Sequence, residues 1–323
     1  MRAPLRSALA VSTLLAAVAL APAAPAAPPR VEGRPFAHVA ITVAIDSTGT
    51  IHVPGPFAVL PGNRRVAVRV PESDGILLLE GDRIVHHFPL ADSFDVDDLA
   101  ASDSMLVAGR RPPEGAITVD LFLFDLLTGR MIQRIQSANP FLRAPATGRD
   151  LYRVVVEGSR VGVFDPTASA SYPLWDRASG VVIGGDQMVQ ATSGLGFGAS
   201  AVWIPNPDGS VDLKLPGHSK RLVDPGEGEF VGGAGRETIV LLSPSGAAEK
   251  ERELPGELVV HVLEADRAIA ELRLVAVSPA VDVERRVVTG RPVQVRDGRL
   301  YWLYLGPDFL EVRSTELPAG AEK

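Results

Sequence analysis

Ile117 to Ile135, ITVDLFLFDLLTGRMIQRI, holds a strand, a turn and a second strand in one short stretch. An apolar, β-branched and aromatic run ends at Phe124, and Asp125-Leu126-Leu127-Thr128-Gly129 then supplies the acceptor side chain and the glycine that a tight turn uses. A second strand opens at Arg130. The same kind of unit recurs on both sides. Val66–Val70, Ile76–Glu80, Arg83–Phe88, Leu151–Glu157, Val161–Phe164, Ala201–Ile204, Thr238–Leu242 and Leu300–Leu305 are short aliphatic runs bounded by Gly, Pro, Asp or Ser. Several alternate apolar with polar positions, as half-buried antiparallel strands do. Between them, Ser73-Asp74-Gly75, Pro207-Asp208-Gly209, Pro244-Ser245-Gly246 and Arg296-Asp297-Gly298 set Gly where a tight turn calls for positive φ. Helical signals are nearly absent past residue 35. Leu263 to Val277 has helical spacing at Leu263, Ala270, Leu274 and Val277, but Leu272, Leu274 and Val275 fit a strand equally, and it is taken as strand.

The recurrence has a period. Segments with the look of a unit's closing strand fall at Arg83–Leu90, Arg130–Gln136, Ala170–Trp175, Ser210–Leu215 and Ala247–Leu254. Their starts lie roughly 37 to 47 residues apart, the length of a four-stranded propeller blade. The expected fold is therefore all-β, a β-propeller of six four-stranded antiparallel blades, with seven as the alternative. The third and fourth units lack a clean Asp-Gly turn where one is expected, and Leu254 to Arg291 holds material for one further blade or an elaborated last one.

Ile41 to Val53, ITVAIDSTGTIHV, reads as strand, Asp-Ser-Thr-Gly turn and strand. Here the chain resembles the six-bladed propellers of the NHL and TolB-like type, whose blades open with such a unit. Val43-Ala44-Ile45-Asp46 and Gly49-Thr50-Ile51-His52-Val53 carry the match; Asp297 to Trp302 echoes its second half, and Asp103 to Val107 does so without the Gly. The resemblance is architectural and spans most of Ile41 to Leu317. It implies a ring closed by strands from the two chain ends, which would cover open sheet edges.

The N-terminus reads differently. Arg2 and Arg6 precede an uncharged apolar run from Ala8 to Leu20, followed by Ala21-Pro22-Ala23 and Ala24-Pro25-Ala26. These are the three parts of a secretory signal peptide, over residues 1–23, and the apolar run is short for a membrane span of about 20 residues. An uncleaved anchor is the alternative. Residues 24–35 are expected as a disordered leader, 36–318 as the propeller and 319–323 as a tail. No later stretch is apolar enough to span a membrane. Cys is absent, which excludes disulfides, thiolate metal sites and a lipid anchor on an N-terminal cysteine. The formal charge of −7 becomes −9 once Arg2 and Arg6 leave with the leader, which argues against nucleic acid and anionic membranes as partners. Arg outnumbering Lys, with abundant Ala, Gly, Pro and Val, associates the chain with a GC-rich bacterium.

Motifs for chemistry are weak. His38, His52, His86, His87, His218 and His261 are scattered, without zinc-site spacing, and adjacent His86 and His87 would point to opposite faces of a strand. They read as structural or solvated. Asp92, Asp95, Asp97, Asp98 and Asp103 form the densest carboxylate group. Oxygen ligands at close spacing suit calcium, so Asp95, Asp97 and Asp98 are the weak metal candidates, although the EF-hand pattern is not met and solvated turn-capping is the stronger reading. Calcium-dependent propeller hydrolases hold their ion in the central channel with Glu, Asn and Asp, whereas Asn63, Asn139 and Asn206 all sit in turn-like settings. No Gly-x-Ser-x-Gly elbow occurs, and neither Gly194–Gly198 nor Gly232–Gly235 leads into the Lys-Ser/Thr pair and helix that a phosphate loop requires. Trp175, Trp203, Trp302, Tyr301 and Tyr304 are expected mainly at blade contacts, with a sugar- or protein-contact surface as the alternative.

Taken together, the residues point to an exported, non-catalytic binding or scaffold propeller, secreted or periplasmic, with no catalytic residue and no cofactor assigned. Its partner would be another envelope or secreted protein, or a surface polysaccharide. The competing expectation is an exported hydrolase or lyase using central-channel carboxylates, with calcium as its candidate ion; convergence of three or more of Asp46, Asp97, Asp98 and Glu157 at the channel would favour it, and their placement on separate outer loops would count against it.

Overall fold

The structure, a computed structural model, describes residues 27–70, 73–90, 96–110, 118–138, 153–157, 159–165, 170–177, 181–182, 202–205, 211–215, 218–222, 229–234, 238–242, 251–264, 267–283 and 285–318. Strands dominate them, and no helix among them is long and apolar enough to cross a membrane. The chain is a β-propeller with six successive sheets in blade order.

Blade one is β4 (Phe57–Val59), β5 (Val66–Val70), β6 (Gly75–Glu80) and β7 (Arg83–Pro89). Blade two is β8 (Val96–Ala101), β9 (Met105–Arg110), β10 (Thr118–Asp125) and β11 (Met131–Ala138). Blade three is β12 (Arg153–Glu157), β13 (Arg160–Asp165), β14 (Ala170–Asp176) and β15 (Val181–Val182). Of blade four the described residues give β16 (Val202–Pro205), β17 (Val211–Leu215) and β18 (His218–Leu222). Blade five runs β19 (Glu229–Ala234), β20 (Thr238–Leu242), β22 (Glu257–Glu264) and β23 (Arg267–Val275). Blade six is β25 (Val293–Arg296), β26 (Arg299–Leu305) and β27 (Phe309–Glu316), completed by β2 (Arg34–Ala40). First strands touch in sequence, β4 against β8, β8 against β12, β19 against β25 and β25 against β4, which closes the ring between blades six and one.

Blade packing explains the burial pattern. Alternate residues of a strand face opposite sides of the sheet, and in a ring both sides meet a neighbouring blade. Phe122 and Phe124 of β10 therefore join Ile76, Leu78 and Phe88 of blade one, while Leu121 and Leu123 join Val154, Val161 and Trp175 of blade three. A third cluster unites blades five, six and one around Tyr301, Trp302 and Leu303. Middle strands such as GILLLE and LYWLYL are consequently buried on both faces, and only outer strands such as β7 keep a polar side. Full burial of each such Leu or Phe contributes about 1.5–3 kcal/mol.

The chain ends close the ring as the resemblance implied. β2 pairs antiparallel with β27 from Arg34↔Ser314 to Ala40↔Phe309. One segment ahead of it does more. β1 (Arg30–Val31) pairs in parallel with β23, so the N-terminal chain is stitched first to blade five and then to blade six. Gly33 makes the step between them at φ +68, with the Trp302 ring so close that a Cβ there would lie 2.2 Å from its Cη2. The leader expected over residues 24–35 is thus corrected at its end: from Arg30 the backbone finds ladder partners and is ordered by them.

Other expectations shift as well. Arg83–Leu90 and Arg130–Gln136 do close their blades, but Ala170–Trp175 is a third strand, and Val211–Leu215 is β17, which has β18 beyond it. Ala247–Leu254 contributes β21 (Glu251–Glu253) to a separate small sheet, ordered β21-β24-β3, with β24 (Arg285–Thr289) and β3 (Thr50–Val53). That sheet takes in Thr50–Val53, the second half of the Ile41–Val53 unit. Its hairpin-like bridge Ile45↔Ile51 is real, but β3 then pairs in parallel with β24 instead of opening a blade. At Ser73-Asp74-Gly75 the positive φ falls on Asp74 (φ 50), whereas Asp297 (φ 46) and Gly298 (φ 73) form the expected tight turn between β25 and β26. Residues 1–26 and 319–323 lie outside the described residues.

Candidate functional site

The first strands β4, β8, β12 and β25 each stand at the edge of their sheet, with no further strand among the described residues bonded on that side. Side chains from neighbouring first strands take that role. Gln294 on β25 uses both ends of its amide on β4: Val59 N donates to Oε1 at 3.2 Å, and Nε2 donates to the Phe57 carbonyl. Asp98 on β8 performs the equivalent task one blade further round, its Oδ2 accepting from Val154 N of β12 at 2.7 Å and its Oδ1 from Leu99 N at 3.0 Å. Backbone groups that would otherwise be left unbonded at the axis are satisfied across blade boundaries.

Three connections converge beside these strands. The segment before β25, the segment before β4 and the start of β8 meet at Gly290, where a Cβ would stand 2.7 Å from the Asp97 carbonyl oxygen and 2.8 Å from Pro56 Cβ. Asp97 sits at the irregularity between Val96 and Asp98, where the register of β8 against β9 slips. Arg69, 4% exposed, reaches under the entry to β4 and donates from Nη1 to the Gly55 carbonyl at 3.0 Å, while its backbone N bonds the Pro56 carbonyl. The small sheet adds its own polar knot. Asp46 Oδ1 accepts from Thr48 N, Thr48 Oγ1 and Thr50 N, and its Oδ2 lies 3.0 Å from His52 Nε2. The Thr48 and Thr50 hydrogen bonds, with His52, hold this carboxyl well below the ordinary carboxylate range.

The metal candidates are placed as follows. Asp95 and Asp92 lie outside the described residues. Asp97 and Asp98 are consecutive on β8, and Asp103 is exposed in the turn after it. Glu157 ends β12, and its side chain lies outside the described set. Among the described residues no three His, Asp or Glu side chains gather as metal ligands. Asp98 spends both oxygens on backbone N–H groups, and Asp46 spends both of its own within its hairpin.

Other carboxylates work in the same way at the outer parts of the blades. Asp120, buried in blade two, pairs with Arg110 and receives both Nε (3.0 Å) and Nη2 (2.9 Å) of Arg134, and both guanidinium groups lie over the Phe122 ring. Asp125 caps the turn of the 117–135 stretch through Leu127 N and Thr128 N, and also pairs with Arg177 of blade three. The Thr128 backbone N–H, followed by Arg177, lowers its pKa from 3.8 to about 2. Glu311 lies between Arg313, at 2.8 Å, and His38, at 3.5 Å. Arg313 in turn stacks 3.3 Å from the Tyr304 ring centroid and donates to the Glu32 carbonyl ahead of β2.

Of the histidines, His38, His52 and His261 each approach one carboxylate. Trp175, Trp302, Tyr301 and Tyr304 are buried, so these four belong to blade contacts and not to a sugar platform; the side chain of Trp203 lies outside the described set. Among the described residues the exposed large apolar side chains are Ile45, Ile84, Leu127 and Met131, on different elements. The axis contacts of Gln294 and Arg69 went unread in the sequence. A polar residue inside an otherwise apolar strand, as in Val293-Gln294-Val295 and Val68-Arg69-Val70, is the signal that would have found them.

No family model and no curated protein sequence matches the chain. Among solved structures, it is similar to TolB from Acinetobacter baumannii, at 13% identity and a TM-score of 0.39, over 74% of this chain. The match spans 58% of that TolB chain's length. It is also similar to the β-propeller domain of the Trilobed protease from Pyrococcus furiosus (10% identity, TM-score 0.32, 79% of this chain and 77% of that one). A third is the β-propeller domain of Myceliophteria thermophila Cps50 (Swd1), at 9% identity and a TM-score of 0.38, covering 81% and 83%.

Proposed function

We propose that this chain is an exported, non-catalytic binding and scaffold propeller, working in the bacterial periplasm or outside the cell on another envelope or secreted protein. The observation that carries it is the use made of the carboxylates. Asp46, Asp98, Asp120, Asp125 and Glu311 each hold a turn, a strand or a neighbouring blade in place. Acid–base catalysis needs a carboxylate free to take or give a proton at a substrate, and groups so committed serve rigidity instead. A rigid ring presenting loops at its two faces suits recognition. Export is supported by the positive, apolar and small-residue succession over residues 1–26.

The test is recovery of the tagged mature protein, after cross-linking, from the envelope and medium of its host. A stoichiometric protein partner supports the proposal. Recovery of the chain alone, together with hydrolysis of ester or lactone substrates that calcium accelerates and EDTA abolishes, would replace it with an enzyme.

A further inference from the structure

Two strands fasten the N-terminal chain, and they are held unequally. β2 is paired with β27 along its length, from Arg34↔Ser314 to Ala40↔Phe309. β1 has only Arg30↔Arg273 and Val31↔Leu274 on β23, with the bond from Arg273 N to the Pro29 carbonyl at 3.1 Å beside them. Val31 is its apolar anchor, half-buried against the core of blades five and six. So short a ladder holds weakly.

Charge supplies what the ladder lacks. Carboxylates and guanidinium groups alternate across the segment: Glu257 Oε1 lies 3.0 Å from Arg30 Nε, Arg30 Nε 3.9 Å from Glu32 Oε1, and Glu32 Oε2 3.6 Å from Arg313 Nη1. Arg313 continues the row to Glu311, and Glu311 to His38. The row thus starts on β22 of blade five, crosses β1 and the turn after it, and ends on β27 and β2 of blade six.

Its two halves differ in their access to water. The Arg313 and Glu311 side chains are 14% and 11% exposed, and the guanidinium is fixed over the Tyr304 ring. Arg30 and Glu32, at 55% and 65%, stand open to solvent. Salt shortens the reach of exposed charges from about 10 Å at 0.1 M to about 3 Å at 1 M and acts much less on buried pairs. It therefore weakens the hold on β1 and spares β2. Arg30 also stands in register with Arg273, a second exposed cation. Glu257 offsets that like-charge contact only while its own attraction is unscreened.

We infer that residues 29–33 form a salt-released strap on the outer edge of blade five, which lets go while β2 keeps the ring closed. Release bares the Arg273 N–H and the side of the Trp302 ring that Gly33 covers. The surface that blade five presents then depends on ionic strength.

Hydrogen exchange resolved to single amides tests this on the purified chain, in about 0.05 M and about 1 M NaCl. The Arg273 amide should exchange about fivefold faster at the higher salt, while the amides of β2 keep their rates. A Glu32→Gln/Glu257→Gln variant should bring a similar acceleration at low salt and flatten the response to added salt. Val31→Ala removes an apolar contact instead, so it should speed exchange and leave the salt response intact. Exchange at Arg273 that is indifferent to salt, an equal acceleration in β2, or a wild-type salt response in the double glutamine variant would each overturn the inference.

Discussion

Replacing Gly33 with Ala should loosen the ring at the point where its N-terminal chain crosses from blade five to blade six. At φ +68 an Ala costs about 1–2 kcal/mol for the left-handed backbone alone. Its Cβ would also lie 2.2 Å from Trp302 Cη2, 2.6 Å from Cζ2 and 3.3 Å from the Ser314 carbonyl. Trp302 cannot retreat easily: it is fully buried, and its Nε1 donates to the Val275 carbonyl at 2.8 Å. Overpacking of this kind adds about 1–3 kcal/mol. The chain has one escape, which is to release β1. That forfeits the pairing of Arg30 and Val31 with β23, the Arg273 N to Pro29 carbonyl bond and the Arg30–Glu257 contact. At about 1 kcal/mol for each hydrogen bond and less for the exposed ion pair, the escape costs a similar amount. Both routes lead to about 2–4 kcal/mol, and thermal unfolding followed by tryptophan fluorescence should shift down by about 3–7 °C. Trp302→Phe removes the crowded atoms, so the Gly33→Ala/Trp302→Phe double variant should lose less than the two single losses added together, by about 1–2 kcal/mol. A Gly33→Ala protein melting within about 1 °C of wild type, or strict additivity in the double variant, would refute the reasoning.

Gln294→Ala should cost about 1–3 kcal/mol in urea unfolding, because Val59 N and the Phe57 carbonyl on β4 lose their partner together. Asp98→Asn keeps an oxygen for Val154 N, whereas Asp98→Ala does not; urea midpoints should rank wild type, Asn and Ala, with Ala about 1–2 kcal/mol below Asn. Asp125 has a folded pKa below its unfolded value of 3.8, so its contribution is complete above that value and disappears as pH falls through about 2. Melting temperature should therefore drop over that window, and Arg177→Met, which removes the second cause of the shift, should flatten the drop.

How much of this was legible in the chain depended on how local the cause was. The 117–135 stretch folds as its own residues dictate, since Asp125 and Gly129 make the turn and β10 pairs directly with β11. The expected closure by both chain ends also holds, because β2 and β27 carry ordinary strand sequences. Blade boundaries were harder. Ile41–Val53 and Ala247–Leu254 resemble blade strands locally, yet Thr50–Val53 and Glu251–Glu253 from them join the β21-β24-β3 sheet, Thr50–Val53 by a parallel pairing with Arg285–Val288 far along the sequence. No short-range pattern announces such a pairing. The same holds at the axis: Asp98 looks like part of an acidic cluster, and only its neighbour from the next blade, Val154, turns it into a structural acceptor.

The pairing of β2 with β27 also orders events in time. Arg34–Ala40 is synthesised well before its partner Phe309–Glu316. β2 must wait, without its partner, until β27 has left the ribosome. The same delay makes closure a check on completeness: any product broken off before Phe309 leaves β2 hanging, and a protease that reads loose ends will find it.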